Sequence, residues 1–455
     1  MVAMMAIGDS LFNGVRSLTI KEELAQWSAP AQVARALGIP FATPDYPRYV
    51  VVNFEQWLHD FPQVFTSMQD LERNIAFWDA TPKSSLPAFD NIAIASARYA
   101  DLYTRTWQTA DAEIAALHAA LGTGFTQPNA RLADMFFAFN TRFLLNPTGD
   151  PNTPPQTPLE IVADRGPARL LVNIGPNNGL WNMGFGAVAS SGLGNPTGGP
   201  FDADDVVDLK ALVAHLGALP PAVEHIYVNA MPLPSDVADM MPFPDTSDTH
   251  KPGAGAYYPT YENSIGFNYG TLTAAQQRAN DDLVSEVNAL VAQEARPDPR
   301  IHIVPIDQAF KGWDFKTDPD AQHFDIDGKV ISNLMIQSGS LPLPHPWRGG
   351  LMGLDGMHPT ILGYAVMAQE ILKSIQQYEG VAAPAPIDLK RAYQADSLLQ
   401  RLPSLWEAFF VLQLEIRRLT GRGPNSADFL AGLMPTSDLH KSVTQLFEIL
   451  QFKID

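Results

Sequence analysis

Four short stretches carry residue types suited to acyl transfer. The first, Gly8-Asp9-Ser10-Leu11, follows directly on an apolar run. A serine hydroxyl is a poor nucleophile until a base takes its proton, so Ser10 matters only where a histidine can reach it. The second, Asp355-Gly356-Met357-His358-Pro359-Thr360, can supply that histidine. An Asp three residues before a His lets one loop present both groups: the carboxylate accepts from the imidazole Nδ1–H, fixes the tautomer and stabilises the imidazolium formed during attack. Pro359 suits the first position of a helix, which places His358 just ahead of it. The third, Gly175-Pro176-Asn177-Asn178, offers a side-chain amide on a tight turn, a donor suited to oxygen charge that develops during the reaction. The fourth and weakest, Asn91-Ile92-Ala93-Ile94-Ala95-Ser96, offers a backbone N–H at Ser96. Each has a plain structural reading as well, a helix cap or an Asn/Gly turn. Pairing an N-terminal Gly-Asp-Ser with a distant Asp-x-x-His is what cap chemistry does not explain.

The elements that must hold these residues can be read from the apolar pattern. Buried parallel strands are expected at residues 2–7, 91–95, 169–174, 225–229 and 300–305, several followed at once by Gly, Asn or Pro. Helical patterns lie between them at 20–37, 97–121, 204–216, 272–295 and 361–378, with Asp202 as an expected N-cap. Strands alternating with helices indicate an α/β domain with a mostly parallel sheet, whose active groups belong at the carboxyl ends of the strands. The connections 12–90, 179–201, 231–270 and 307–354 are long for such a domain. The stretch 231–270 carries Met231, Met240, Met241, Phe243, Tyr257, Tyr258, Tyr261 and Phe267. It reads either as a lid or acyl-chain wall, or as an ordered surface meander pinned by its aromatics.

Composition excludes several function classes. The formal net charge of −19 argues against a nucleic-acid partner and against docking on anionic lipid, both of which rely on Lys/Arg fields. The absence of cysteine removes disulfides, thiolate metal sites and a Cys nucleophile together. No apolar run approaches the roughly 18 residues of a membrane span. The start, residues 1–7, lacks a basic segment and is too short for a secretory core, so it reads as a strand and leaves localisation open between cytoplasm and export after trimming. There is no Gly-x-Ser-x-Gly elbow, no His-Glu-x-x-His zinc helix, no Ser-x-x-Lys and no Walker motif. Asp318-Pro-Asp320-Ala-Gln322 hints at a calcium loop, but His323 and Lys329 stand where Gly and Glu are needed, which leaves a solvated acidic turn. His302, His323 and His345 read as structural or surface residues.

The four blocks, in this order, resemble the SGNH hydrolase family, also called the GDSL esterases and lipases. The resemblance rests on Gly8-Asp9-Ser10-Leu11, Asn91 to Ser96, Gly175-x-Asn177 and Asp355-x-x-His358-Pro359. It implies a flavodoxin-like three-layer α/β/α fold with a mostly parallel sheet of about five strands and long loop insertions. It implies Ser10 as nucleophile, His358 as base and Asp355 as orienting acid. The Ser10 N–H, the Ser96 N–H and the Asn177 amide would form the oxyanion hole. The activity implied is carboxylic ester hydrolysis through an acyl-enzyme on Ser10, on a small-molecule or lipid ester, with no cofactor. Two positions depart from the family pattern, Ser96 in place of Gly and Asn178 in place of Asp. The same residues would serve an acyltransferase, and the same fold a non-catalytic lipid- or glycan-binding module.

The hydrolase domain is expected over 1–380. A stiff linker, Val381-Ala-Ala-Pro-Ala-Pro386, leads into a helical appendage within 381–455. Trp406, Phe409, Phe410, Leu412, Leu414 and Ile416, followed by Arg417-Arg418, give that appendage a broad apolar surface. It must be buried on the catalytic domain or on another subunit, which admits a homo-oligomer through these helices.

Overall fold

Runs such as Met4-Met5-Ala6-Ile7 and Leu170-Leu171-Val172 do not alternate, as strands buried on both faces need not, and they form the centre of the molecule. The computed structural model describes residues 2–402 apart from 60–63, 122–130, 185, 190–191, 239, 244–256, 264–270, 315–323, 327–328 and 334–348. Strands β1 (Met4–Gly8), β2 (Arg169–Asn173) and β3 (His225–Asn229) come first. The connection after β3 contributes β4 (Met240–Phe243), β5 (Thr260–Asn263) and β6 (Thr271–Thr273). Then follow β7 (Ile301–Val304) and the short hairpin strands β8 (Phe324–Ile326) and β9 (Lys329–Ile331). The main sheet is four-stranded and parallel, in the order β1-β2-β3-β7. Gly8 is level with Asn173, and Asn229 with Val304, so the carboxyl ends share one edge.

The run 91–95 lies alongside β1, with Ile92 and Ile94 donating to the carbonyls of Ala6 and Gly8 at 2.9 and 2.8 Å. It makes one parallel bridge, Ala6 with Asn91, rather than a full strand. Its outward N–H groups are taken without a further strand: Asn91 N donates to Ala42 O at 3.3 Å, Ala93 N to Asn91 Oδ1 at 3.2 Å and Ala95 N to Asn140 Oδ1 at 3.0 Å. Satisfied this way, the edge offers little to a stray strand.

Tyr227 donates to Glu379 at 2.8 Å. That bond turns His225 and Tyr227 toward the helix Ile361–Glu379 and leaves buried Ile226 and Val228 facing the other way. Ile361–Glu379 packs with the helix Ala29–Leu37, and Ala203–Gly217 packs with Ala274–Ala295. This α/β arrangement is consistent with three α/β/α layers. Asp202 caps its helix as expected, accepting from Asp204 N and Asp205 N.

Two expected helices are broken. Residues 20–37 divide into Glu22–Gln26 and Ala29–Leu37, because Pro30 has no N–H to donate back and fits only a first turn. Residues 97–121 divide into Asp101–Thr104 and Trp107–Leu121. Between them Thr106 N donates to Thr109 Oγ1 at 3.0 Å and Thr109 N to Thr106 Oγ1 at 3.2 Å. This reciprocal capping starts a new helix.

Of the expected appendage, residues 381–402 are described. The helices Leu389–Ala395 and Ser397–Gln400 lie in that segment, the first packed on Ile361–Glu379. Trp406 to Arg418 lie outside the described residues, as do Asp318 to Gln322, His323, His345 and Phe267. Among the described residues no helix is long and apolar enough to cross a membrane.

Candidate active site

Ser10 is presented by a turn that tolerates no side chain at its hinge. Gly8 has φ 136°, and a Cβ there would lie 1.9 Å from the Asn173 carbonyl oxygen. Only glycine, with no Cβ, fits such a place. Asp9 then caps the short helix Ser10–Asn13: its Oδ1 accepts from Leu11 N at 3.0 Å and from Asn173 Nδ2 at 2.8 Å. Ser10 is the first helical residue, so its N–H has no partner within the helix, and it makes no hydrogen bond to the described residues. Two asparagines tie the helix to the run beside β1. Asn91 Nδ2 donates to Phe12 O and Asn13 Nδ2 to Ala93 O, both at 2.7 Å.

The Asp355–His358 loop is closed at its base by Gly353 N donating to His358 O at 2.7 Å. Asp355 is buried and both its oxygens are fully used. Oδ1 accepts from Met357 N at 3.1 Å and His358 N at 2.9 Å; Oδ2 accepts from His358 Nδ1 at 2.7 Å and Leu18 N at 2.9 Å. Burial alone would push this carboxyl up, but attraction to His358 and the hydrogen bonds outweigh it and hold Asp355 below its ordinary value. A carboxylate only accepts, so Nδ1 carries a proton and Nε2 is the nitrogen that holds the lone pair whenever the ring is neutral.

Asn177 sits in a short 3₁₀ turn after β2. Gly175, at φ 118°, lets the chain pass where a Cβ would be 2.6 Å from both Met231 Sδ and the Tyr99 hydroxyl. One N–H of the Asn177 amide donates to Ala97 O at 3.0 Å. That bond fixes the side chain and leaves the second N–H. Asn178 points elsewhere. Its oxygen accepts from Tyr99 N and its amide donates to Asp205, so it ties the 96–99 turn to the helix Ala203–Gly217.

Ser10, Asn177 and His358 line one open pocket. Asp355 stands behind His358. Ser96 is half-buried on the turn next to Ala97 and is not among the residues lining the pocket. The remaining walls are apolar, including Leu11, Leu180, Phe310, Met352 and Met357. Trp181, on the helix Leu180–Gly184, is the largest addition to the set read from the sequence: its ring is 5.4 Å from that of His358, tilted by 46°. Nothing in the pattern around Trp181 marks it, since a lone aromatic in a Gly-rich loop reads as an anchor.

The connection 231–270 divides between its two readings. Pro232 and Val237 line the pocket, whereas Met240, Tyr258, Tyr261 and Leu272 form a separate small core under the antiparallel sheet β4-β5-β6.

No protein-family model matches the chain, and no curated protein matches it. Among solved structures it is similar to an extracellular lipase from Streptomyces rimosus, at 13% identity and a TM-score of 0.31, covering 82% of this chain and 100% of the lipase. A likeness of that size says nothing about chemistry; the side chains must.

Beneath the pocket runs a buried polar ladder at the carboxyl ends of three strands. Asn229 Nδ2 donates to Asn173 Oδ1 at 2.9 Å, and Asn173 donates to Asp9 Oδ1. Asp9 Oδ2 is buried without a partner, and burial pushes this carboxyl up to about 7 in spite of the donors on Oδ1. The folded chain therefore holds the Asp9 proton more tightly than the unfolded chain does. Such an acid costs nothing below its ordinary pKa of 3.8 and destabilises progressively as pH rises to about 7, by up to a few kcal/mol. Asn caps a helix as well as Asp does. Asp9→Asn should thus raise the urea midpoint over wild type much more at about pH 8 than at about pH 5. An equal gain at both would show that Asp9 ionises normally.

Proposed function

We propose that the chain is a serine ester hydrolase of the SGNH type, acting through an acyl-enzyme on Ser10. The observation that carries this is the 2.7 Å bond between Asp355 and His358 Nδ1, with that imidazole, Ser10 and Asn177 all on one apolar pocket. Ser10 Oγ attacks the ester carbonyl carbon while His358 Nε2 takes its proton. The oxyanion is met by the Ser10 N–H and the second N–H of Asn177; Ser96, off the pocket lining, is left out of the hole. Collapse breaks the bond to the leaving alcohol, which receives the proton from His358. Water, activated by the same imidazole, then frees the acid and restores Ser10. Counting the run 91–95 as a fifth strand puts the sheet in the flavodoxin-like order, with Ser10 and Asn177 following its first and third strands. The walls favour an acyl ester over an acetylated sugar: each methylene that enters is worth about 0.8 kcal/mol, or about fourfold in kcat/KM.

An organophosphonate should form one covalent adduct, located by peptide mass at Ser10. p-Nitrophenyl butyrate and hexanoate should be hydrolysed with higher kcat/KM than the acetate. A chain that takes no phosphonate and hydrolyses none of these esters is not a serine hydrolase. Flat kcat/KM along the series would remove the acyl pocket but keep the chemistry.

A further inference from the structure

We infer that Arg16 and Asp396 are positioning residues that fix the separation of Ser10 from His358; the inference rests on the hydrolase reading. Arg16 lies six residues after Ser10, and its side chain is fully buried. Its guanidinium donates to both oxygens of Glu55, at 2.7 and 2.6 Å, and to Asp396 Oδ1 at 2.8 Å. The other oxygen of Asp396 accepts from Ile361 N at 2.6 Å. Ile361 is the first residue of the helix that follows His358. One buried carboxylate therefore grips both blocks, one on each oxygen, close to their reactive ends.

The grip is transmitted to the acid through an unusual turn. Ser17 and Leu18 are consecutive non-glycine residues at φ 49° and 53°. That conformation disfavours side chains and persists only where the surroundings impose it. Here Arg16 and Thr19 close the turn with reciprocal backbone bonds at 3.1 and 2.9 Å. On its far side Ser17 Oγ accepts from Leu354 N, and Leu18 N donates to Asp355 Oδ2, both at 2.9 Å. That Asp355 oxygen is the one that also holds the imidazole. Contacts thus run unbroken from Asp396 through Arg16 and the turn to Asp355 and His358. The segment beyond residue 380 takes part in this through Asp396, which also accepts from Leu398 N and Leu399 N and so caps its own short helix.

A residue that only holds the fold and one that sets the reacting distance separate in kinetics. Asp396→Asn in the full chain keeps the shape and an acceptor but removes the charge opposite Arg16. Because small misplacements of reacting groups cost up to about 100-fold, kcat for p-nitrophenyl butyrate and the rate of phosphonate labelling at Ser10 should both fall by about 10- to 100-fold. KM should stay within about twofold, as the pocket walls are untouched. Replacing Arg16 by Met, Glu55 by Leu and Asp396 by Asn removes the buried charge of this cluster and keeps a side-chain oxygen to cap Leu398 N and Leu399 N, an exchange that commonly preserves stability. This variant should show the same kcat loss with a urea midpoint near wild type. Wild-type kcat and labelling in either folded variant, or a loss confined to KM, would overturn the inference. A wild-type chain that takes no phosphonate would instead sink the hydrolase reading, and this inference with it.

Discussion

With Ser10 replaced by alanine, ester turnover should fall by about 10⁴- to 10⁶-fold, to the level left by substrate binding and oxyanion donors alone. In the proposed reaction the hydroxyl is the atom that bonds to substrate, so no neighbouring group replaces it. The variant should stay folded. The helix that carries Ser10 is capped by Asp9, and the helix is tied to its neighbours by Asn13 and Asn91. The backbone N–H of residue 10 is also kept, so the oxyanion hole loses nothing. Circular dichroism and the urea midpoint should match wild type while phosphonate labelling disappears. A folded variant that retains more than a tenth of wild-type kcat, with contaminating esterase excluded, would remove Ser10 from the reaction.

The parts of this arrangement legible in the sequence are those written locally. A run such as Met4–Gly8 reads as a strand because both its faces are buried, and Asp355 and His358 are paired because three residues suffice to bring them together. What was hidden depends on residues far apart in the chain. Leu18 reaches Asp355 across 337 positions, and Arg16 reaches Asp396 across 380, so no local pattern announces either contact. Ser17 and Leu18 conceal a left-handed turn because neither is Gly or Asn, the residues by which such turns are recognised. Asn173 and Asn229 read as ordinary strand ends, yet they form the ladder under Asp9. The run 91–95 reads as a strand from its apolar residues, but it makes one bridge to β1, and its outer edge is met by the Asn91 and Asn140 side chains instead of a further strand. The connection 231–270 has no period to read, and its tyrosines Tyr257, Tyr258 and Tyr261 pack in and against the small core of its own sheet.

Asp355→Asn should lower kcat by about 10⁴-fold, through the tautomer of His358 rather than through loss of structure. Asp355 accepts two backbone N–H groups on Oδ1, and one backbone N–H plus the imidazole on Oδ2. An asparagine must put its NH₂ at one of these positions. In place of Oδ1 it would face two backbone donors that cannot change role. In place of Oδ2 it faces one such donor, Leu18 N, and one ring nitrogen that can turn from donor to acceptor. The second arrangement leaves fewer conflicts, at a cost of about 1–3 kcal/mol for the displaced Leu18 N–H. The imidazole then carries its proton on Nε2, the nitrogen needed to accept from Ser10, and the base is blocked. Asp355→Ala provides the contrast: it abandons three backbone donors and should be less stable than the Asn variant, but it forces no tautomer. Its kcat should therefore equal or exceed that of Asp355→Asn despite the weaker fold. Nitrogen-15 shifts of the His358 ring would report the proton on Nδ1 in wild type and on Nε2 in Asp355→Asn. An Asn variant within tenfold of wild-type kcat, or one that keeps the Nδ1 proton while losing activity, would show that Asp355 does not work by orienting the base.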